Sequence, residues 1–250
     1  MSILSIKHLL KQFGGLKAVN EVSFEVNEGD RLGILGPNGA GKTTLFNLIT
    51  GFIKSDSGTV NFQEETITGM SPEKIANMGL VRTFQIVKPF KELTVYDNLK
   101  IATLSKKMKK EIKTEPERTA WIEKIAEMSE LSHVLSENVE LLPHGYLKKL
   151  EVAKALTANP TVILLDEPFA GLTYHEIDPI SRVIRRANEE NGTTIVLIEH
   201  RLKEFMKLVE RIVAIDYGEK IAEGTPTEII NNPKVIESYL GKGGADLVNS

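Results

Sequence analysis

The chain has 250 residues, 41% hydrophobic and 26% charged, with a net charge of −3 and no cysteine. That is globular composition, enough for one large domain or two small ones; the lack of cysteine excludes disulfides and thiol chemistry and fits a reducing cytoplasm. The charge argues against nucleic acid as a main ligand. No apolar stretch approaches the ~20 residues that span a bilayer, so any membrane connection must come through a partner. The first residues also lack the basic start and long apolar core of a signal peptide.

Residues 1–30 read as strands and turns. Ile3-Leu4-Ser5-Ile6 and Val22-Ser23-Phe24-Glu25-Val26 alternate or run apolar, and Asn27-Glu28-Gly29-Asp30 is a turn. Phe13, beside Gly14, has two readings: a ring stacked on adenine, or a core residue of a small sheet. Arg31 to Leu35 is a short apolar strand and Thr44 to Ile49 a helix. Between them, Gly36-Pro37-Asn38-Gly39-Ala40-Gly41-Lys42-Thr43 matches G-x-x-x-x-G-K-[ST], the phosphate-binding loop of P-loop NTPases. Gly36, Gly39 and Gly41 let the backbone aim successive N–H groups at phosphate oxygens, and the helix start adds its positive dipole end. Lys42 would reach the β- and γ-phosphates and the Thr43 hydroxyl would bind Mg²⁺.

Ser55 to Gly58 is a turn, Thr59 to Phe62 a strand, and Ser71-Pro72 a helix start. Leu80 to Gln85 reads as a strand ending in glutamine, which by itself is only a polar strand end. From 86 to 158 the pattern turns helical. Lys106, Lys107, Lys109, Lys110 and Lys113 form a basic cluster that reads as a solvated helix face, and Trp121 as a core residue. Leu141 to Tyr146 is a turn opening a helix over Leu147 to Ala158, a second potential anion site.

Thr161-Val162-Ile163-Leu164-Leu165-Asp166-Glu167 describes a buried parallel strand delivering two carboxylates at its C-terminal end. Beside a phosphate loop, Asp166 would hold Mg²⁺ and Glu167 would orient and deprotonate the attacking water. A helical segment, Ile180 to Glu190, leads to a buried strand, Thr193 to Ile198, followed by Glu199 and His200. A histidine at the end of a second central strand can contact the γ-phosphate. A strand (Arg211 to Asp216), a Gly218 turn, a strand (Lys220 to Glu223) and a helix start at Pro226 follow, and 241–250 reads as a frayed tail.

The order of these motifs resembles the ATP-binding subunit of ABC transporters along essentially the whole chain. The resemblance implies an α/β fold with a mainly parallel P-loop NTPase (RecA-like) core, an antiparallel β subdomain and an inserted α-helical subdomain. It implies one ATPase domain over 1–250, with 1–85 and 159–240 as core and 86–158 helical. Gly36 to Thr43, with Thr44, corresponds to the Walker A loop; Asp166 to the Walker B carboxylate; Glu167 to the catalytic base; His200 to the switch histidine. Gln85 corresponds to the Q-loop glutamine, a Mg²⁺ contact beside Thr43 and Asp166, and Phe13 to the adenine-stacking aromatic. Leu142-Pro143-His144-Gly145-Tyr146 corresponds to the signature, which acts on ATP bound by a second subunit. ATP and Mg²⁺ are the implied cofactors. A second ATPase subunit, homo- or heterodimeric, and transmembrane permease subunits are the implied partners, with a solute-binding protein if the system imports. The implied location is the cytoplasmic face of the cell membrane.

Two departures stand out. The family signature usually reads Leu-Ser-Gly-Gly-Gln; Pro143 here brings neither a hydroxyl nor an N–H. Thr173 stands where the family usually has aspartate. Ile49 to Phe52, Val81 to Gln85, Ile198 to His200 and the Leu-Pro-x-Gly signature resemble the branched-chain amino acid group. Pro168 to Gly171 and Gly224 to Glu228 also resemble the lipopolysaccharide-export ATPase. A soluble ABC ATPase of the translation or repair kind usually has two ATPase domains or long coiled coils, and neither pattern is here. A kinase or GTPase is disfavoured by the paired Asp166-Glu167.

Overall fold

The computed structural model describes residues 1–84 and 89–240. In chain order it has β1 (Ser2–Phe13), β2 (Leu16–Asn27), β3 (Arg31–Leu35), α1 (Lys42–Ile49), β4 (Ser57–Phe62), β5 (Glu65–Thr66), α2 (Pro72–Met78) and β6 (Leu80–Arg82). Next come α3 (Val95–Ala102), α4 (Lys106–Glu111), α5 (Glu115–Met128), α6 (His144–Thr157), β7 (Val162–Asp166) and α7 (Tyr174–Asn191). The last elements are β8 (Thr194–Ile198), α8 (Leu202–Leu208), β9 (Arg211–Asp216), β10 (Glu219–Gly224), α9 (Pro226–Ile230) and α10 (Pro233–Leu240). The described residues form two compact units, one from residues 1–75 with those from Thr194 onward, the other from Ala76–Thr193.

The first unit holds an antiparallel sheet of order β2-β1-β4-β5. Alternation puts Leu4, Ile6, Leu9, Val22, Phe24 and Val26 on its buried face. The register shifts between Ile6 and Leu9, where His8 takes φ 47°, a bulge that bends the long hairpin. The unit's other strands run β10-β9-β3-β8, with β3 parallel to both neighbours and β10 antiparallel on β9. Every residue of β8 and four of five in β3 are buried, as a parallel strand covered on both faces requires. This is the α/β core expected from the strand–glycine loop–helix pattern.

The second unit pairs β6 with β7 in parallel and surrounds them with helices. Glu130 ties three helical segments together, accepting from Lys149 at 2.8 Å and Arg182 at 2.9 Å. Several sequence expectations are corrected here. The β6 strand ends at Arg82, so it does not carry the chain to position 85. Helix α6 begins at His144 rather than Leu147, because Pro143 has the fixed φ (−57°) and extended ψ of a residue just ahead of a helix. Helix α7 begins at Tyr174 rather than Ile180, since Thr173 and Glu176 form a capping box upstream; Pro179 lies inside the helix. Trp121 is half-buried rather than core; its indole N–H donates to the Thr157 carbonyl at 3.0 Å. Lys106, Lys109, Lys110 and Lys113 are exposed, whereas Lys107 turns inward onto the Asn159 carbonyl and Glu111. No helix among the described residues is long and apolar enough to cross a membrane.

Candidate nucleotide-binding site

In the first unit β3 feeds the glycine loop into α1. Gly36 has no room for a side chain: a Cβ there would lie 2.2 Å from the Ile215 carbonyl oxygen. Gly41 has φ 102° and a Cβ on it would meet the Ala18 carbonyl at 2.2 Å, so both backbone conformation and space demand glycine. The loop is fastened to the β9–β10 hairpin by the Gly218 N–H, which donates to the Ala40 carbonyl at 3.0 Å. Lys42 is 6% exposed, and its ammonium donates to the carbonyls of Gly36 (2.5 Å) and Pro37 (2.9 Å). The loop thus wraps a cation in its own carbonyls. Helix α1 starts without a side-chain cap and without an acid in its first turn. Its positive end is left for an external anion. Asn38, Gly39 and Thr43 are exposed, Pro37 and Ala40 buried and Thr44 half-buried.

Also in this unit, Phe13 ends β1 with its ring 46% exposed and the Lys11 ammonium 5.4 Å from the ring centroid. The small-sheet core reading is overturned, because the strand's last two residues lie outside its buried face. His200 follows β8 and is exposed. Its position is set by Glu199, 3% exposed, whose carboxylate accepts the N–H groups of His200 at 2.8 Å and Arg201 at 3.2 Å. A buried acid directly before the histidine was a usable sequence signal for this turn.

In the second unit Asp166 closes β7, 4% exposed. Arg82 donates to its Oδ2 at 2.6 Å, and the Asp166 N–H donates to the Thr83 hydroxyl at 3.3 Å. Glu167 is half-buried and takes φ 50°. A glutamate in the left-handed region is held there by its surroundings, and such strain concentrates at functional positions. Gln85 lies outside the described residues. Its flanks are both anchored on α6 or α3: the Phe84 N–H donates to Glu151 Oε1 at 3.0 Å, and Asn98 brackets the Phe90 N–H (2.9 Å) and carbonyl (3.0 Å). Burial pushes the Glu151 carboxyl above its usual range, against the opposing pull of Lys148 and the Phe84 N–H.

The signature positions straddle the start of α6. Leu142 and Pro143 precede it, and His144, Gly145 and Tyr146 form its first turn. Gly145 is therefore helical, not part of a free turn. The Glu176 carboxylate accepts the Thr173 N–H at 2.8 Å and the Thr173 hydroxyl at 2.7 Å, and it lies against Gly145, where a Cβ would meet Oε1 at 2.7 Å. His144 lies over Gly171, where a Cβ would meet its Nε2 at 3.0 Å. Tyr146 is held by His133, Nε2 to hydroxyl 3.1 Å. Sequence reasoning gave no role to Arg82, Glu151 or Glu176; Arg82 stands inside the Val81 to Gln85 stretch, and the other two lie outside the recognised motifs.

Among the described residues no group of three or more His, Cys, Asp and Glu could cage a metal. Mg²⁺ does not need such a cage; it takes one or two protein oxygens and completes its sphere with water and phosphate. In the second unit, the Asp166 carboxylate offers oxygens of the type Mg²⁺ takes.

Residues 19–170 match the ABC transporter family, and residues 219–245 match the branched-chain amino acid ATP-binding cassette transporter family. The chain is 39% identical over 255 residues to the high-affinity branched-chain amino acid transport ATP-binding protein LivG of Salmonella typhimurium, covering 96% of this chain and 98% of that protein. It is 39% identical over 257 residues to the probable LivG of Methanocaldococcus jannaschii, covering 97% and 98% respectively. The crystal structure of the ADP conformation of an ATP-binding cassette of an ABC transporter superposes with a TM-score of 0.87 at 36% identity, covering 97% of this chain and 100% of that one. With an intact phosphate loop and a strand-end Asp-Glu pair inside the matched region, the chain belongs to the ABC transporter family as one of its ATP-hydrolysing cassettes.

Proposed function

We propose that this chain hydrolyses Mg²⁺-ATP at the cytoplasmic face of a membrane to drive import of branched-chain amino acids through separate permease subunits. The observation that carries the reading is the similarity to LivG proteins over 96% and 97% of the chain. The whole chain acts as one ATPase domain, with the helical segment between 86 and 158 inserted in it.

Phosphate oxygens take over from the Gly36 and Pro37 carbonyls as acceptors for Lys42, while the N–H groups from Gly39 to Thr44 line the phosphates. Phe13 stacks on the adenine. The Thr43 hydroxyl, Asp166 and Gln85 would hold Mg²⁺, which would offset the charge of the phosphates. Glu167 takes a proton from the attacking water, and His200 contacts the γ-phosphate. A partner subunit closes the site with its signature, and this chain lends Leu142 to Tyr146 to the partner's ATP. Because Pro143 lacks both donors, the site this chain caps is the weaker one wherever the partner carries the full signature.

Glu167→Gln tests the mechanism: ATP should trap a dimer visible by size, without hydrolysis. A wild-type monomer hydrolysing at full rate refutes the sandwich. Loss of labelled leucine uptake in cells lacking the chain, restored by wild type but not by Glu167→Gln, tests the cargo; unchanged uptake removes it.

A further inference from the structure

Arg82 lies in the Val81 to Gln85 stretch but has no role in the site described above, and it makes the most buried ion pair described in the second unit. Its guanidinium and the Asp166 carboxylate are each 4% exposed, with Nη2 2.6 Å from Oδ2. Burying such a pair is costly unless it is geometrically well made. The same strand end holds Asp166 twice, because the Thr83 hydroxyl takes the Asp166 N–H. The guanidinium also lies 5.2 Å from the Phe84 ring centroid, a stacking contact that limits its rotation.

We infer that Arg82 is a positioning residue for the Mg²⁺ carboxylate. By fixing Oδ2 it holds the Asp166 carboxylate in one orientation. Carboxylates that serve metals are commonly held in this way by outer partners, and losing the partner weakens metal affinity about 10–100-fold. A lysine cannot substitute fully, since its single ammonium neither stacks on Phe84 nor offers a planar fork. The inference rests on the Mg²⁺-ATP reading of the site, and the test separates the two.

The measurement is equilibrium fluorescence of mant-ATP on purified chain, first in EDTA and then over a Mg²⁺ titration. Wild type failing to bind mant-ATP in EDTA or in Mg²⁺ would overturn the ATP reading itself. With wild type binding, Arg82→Met should keep its EDTA affinity within about twofold while its Mg²⁺ midpoint rises about tenfold or more. Arg82→Lys retains the charge and should fall between the two; it supplies the readout if Arg82→Met does not fold. An unchanged Mg²⁺ midpoint in either folded variant overturns the inference. So does a lowered midpoint, which would make Arg82 a competitor of the cation, and so does an equal loss with and without Mg²⁺.

Discussion

Glu176, in the first turn of α7, receives the N–H and hydroxyl of Thr173 at 2.8 and 2.7 Å, while its carboxylate lies against Gly145 in the first turn of α6, where a Cβ would meet Oε1 at 2.7 Å. One carboxylate therefore caps the start of α7 and stands beside the start of α6. The second of them is the signature helix, whose family pattern has a serine at the position of Pro143. A helix N-terminus with no side-chain cap of its own has been given an anion from a neighbour.

Glu176 carries a pH dependence. The Thr173 N–H and hydroxyl, then His144 and the Gly145 N–H, hold its carboxyl below the ordinary value of 4.5. The sign follows: its stabilisation is present above 4.5 and is lost as pH falls from there through the lower folded-state value. Glu176→Gln should melt at a lower temperature than wild type at neutral pH, and the gap should narrow in that acid window. Thermal melts by circular dichroism check this; a gap that stays constant with pH would refute the linkage.

Glu151 has the opposite sign. Burial raises its carboxyl above 4.5, outweighing Lys148 and the Phe84 N–H. Ionising it costs more in the folded chain than in the unfolded one, so its contribution declines as pH climbs from 4.5 through the raised folded value. Glu151→Gln keeps an acceptor for Phe84 and removes the charge. Its melting temperature should therefore change less than wild type's across that window. A variant with the same slope as wild type would show that Glu151 is not the group responsible.

Gly33 and Phe205 form a tight steric pair in the first unit. A Cβ on Gly33 would sit 2.2 Å from Cζ of Phe205, whose ring is fully buried. Gly33→Ala should cost about 1–3 kcal/mol by overpacking, and Phe205→Leu in the same chain should recover part of that loss. Urea midpoints for the two single variants and the double variant give the coupling; strict additivity would mean that the ring moves aside freely.

The fold was legible wherever a local pattern had a physical cause. The unbroken apolar runs at Ile163 to Leu165 and Ile195 to Ile198 sit in fully buried strands, and the glycines at 36 and 41 occupy the places where nothing else fits. What was not legible depended on partners far away in sequence. Nothing near Arg82 announces Asp166, and nothing near Gly145 announces Glu176; each pairing arises only after strands and helices are assembled. The early start of α6 was missed because Pro143 and Gly145 together look like a turn, although proline just ahead of a helix start is well tolerated. Trp121 was misplaced because helical spacing reports a side chain's direction, not whether its polar edge finds a partner such as the Thr157 carbonyl.

The glycines of the phosphate loop should differ in their tolerance of alanine. At Gly36 and Gly41 a Cβ would collide with main-chain carbonyls, of Ile215 and Ala18, at 2.2 Å in both cases. A backbone cannot rotate away as a side chain can, so either substitution must displace the loop. At Gly39 nothing lies within 4 Å of a Cβ, and the only penalty is its φ of 82°, about 1–2 kcal/mol for a residue with a side chain. Gly39→Ala should therefore keep measurable mant-ATP binding, weakened about tenfold or somewhat more on that penalty. Gly36→Ala and Gly41→Ala should lose binding while the chain still folds, or fail to fold. Equal affinities for the three variants would mean that the close approach of Ile215 and Ala18 does not shape the loop.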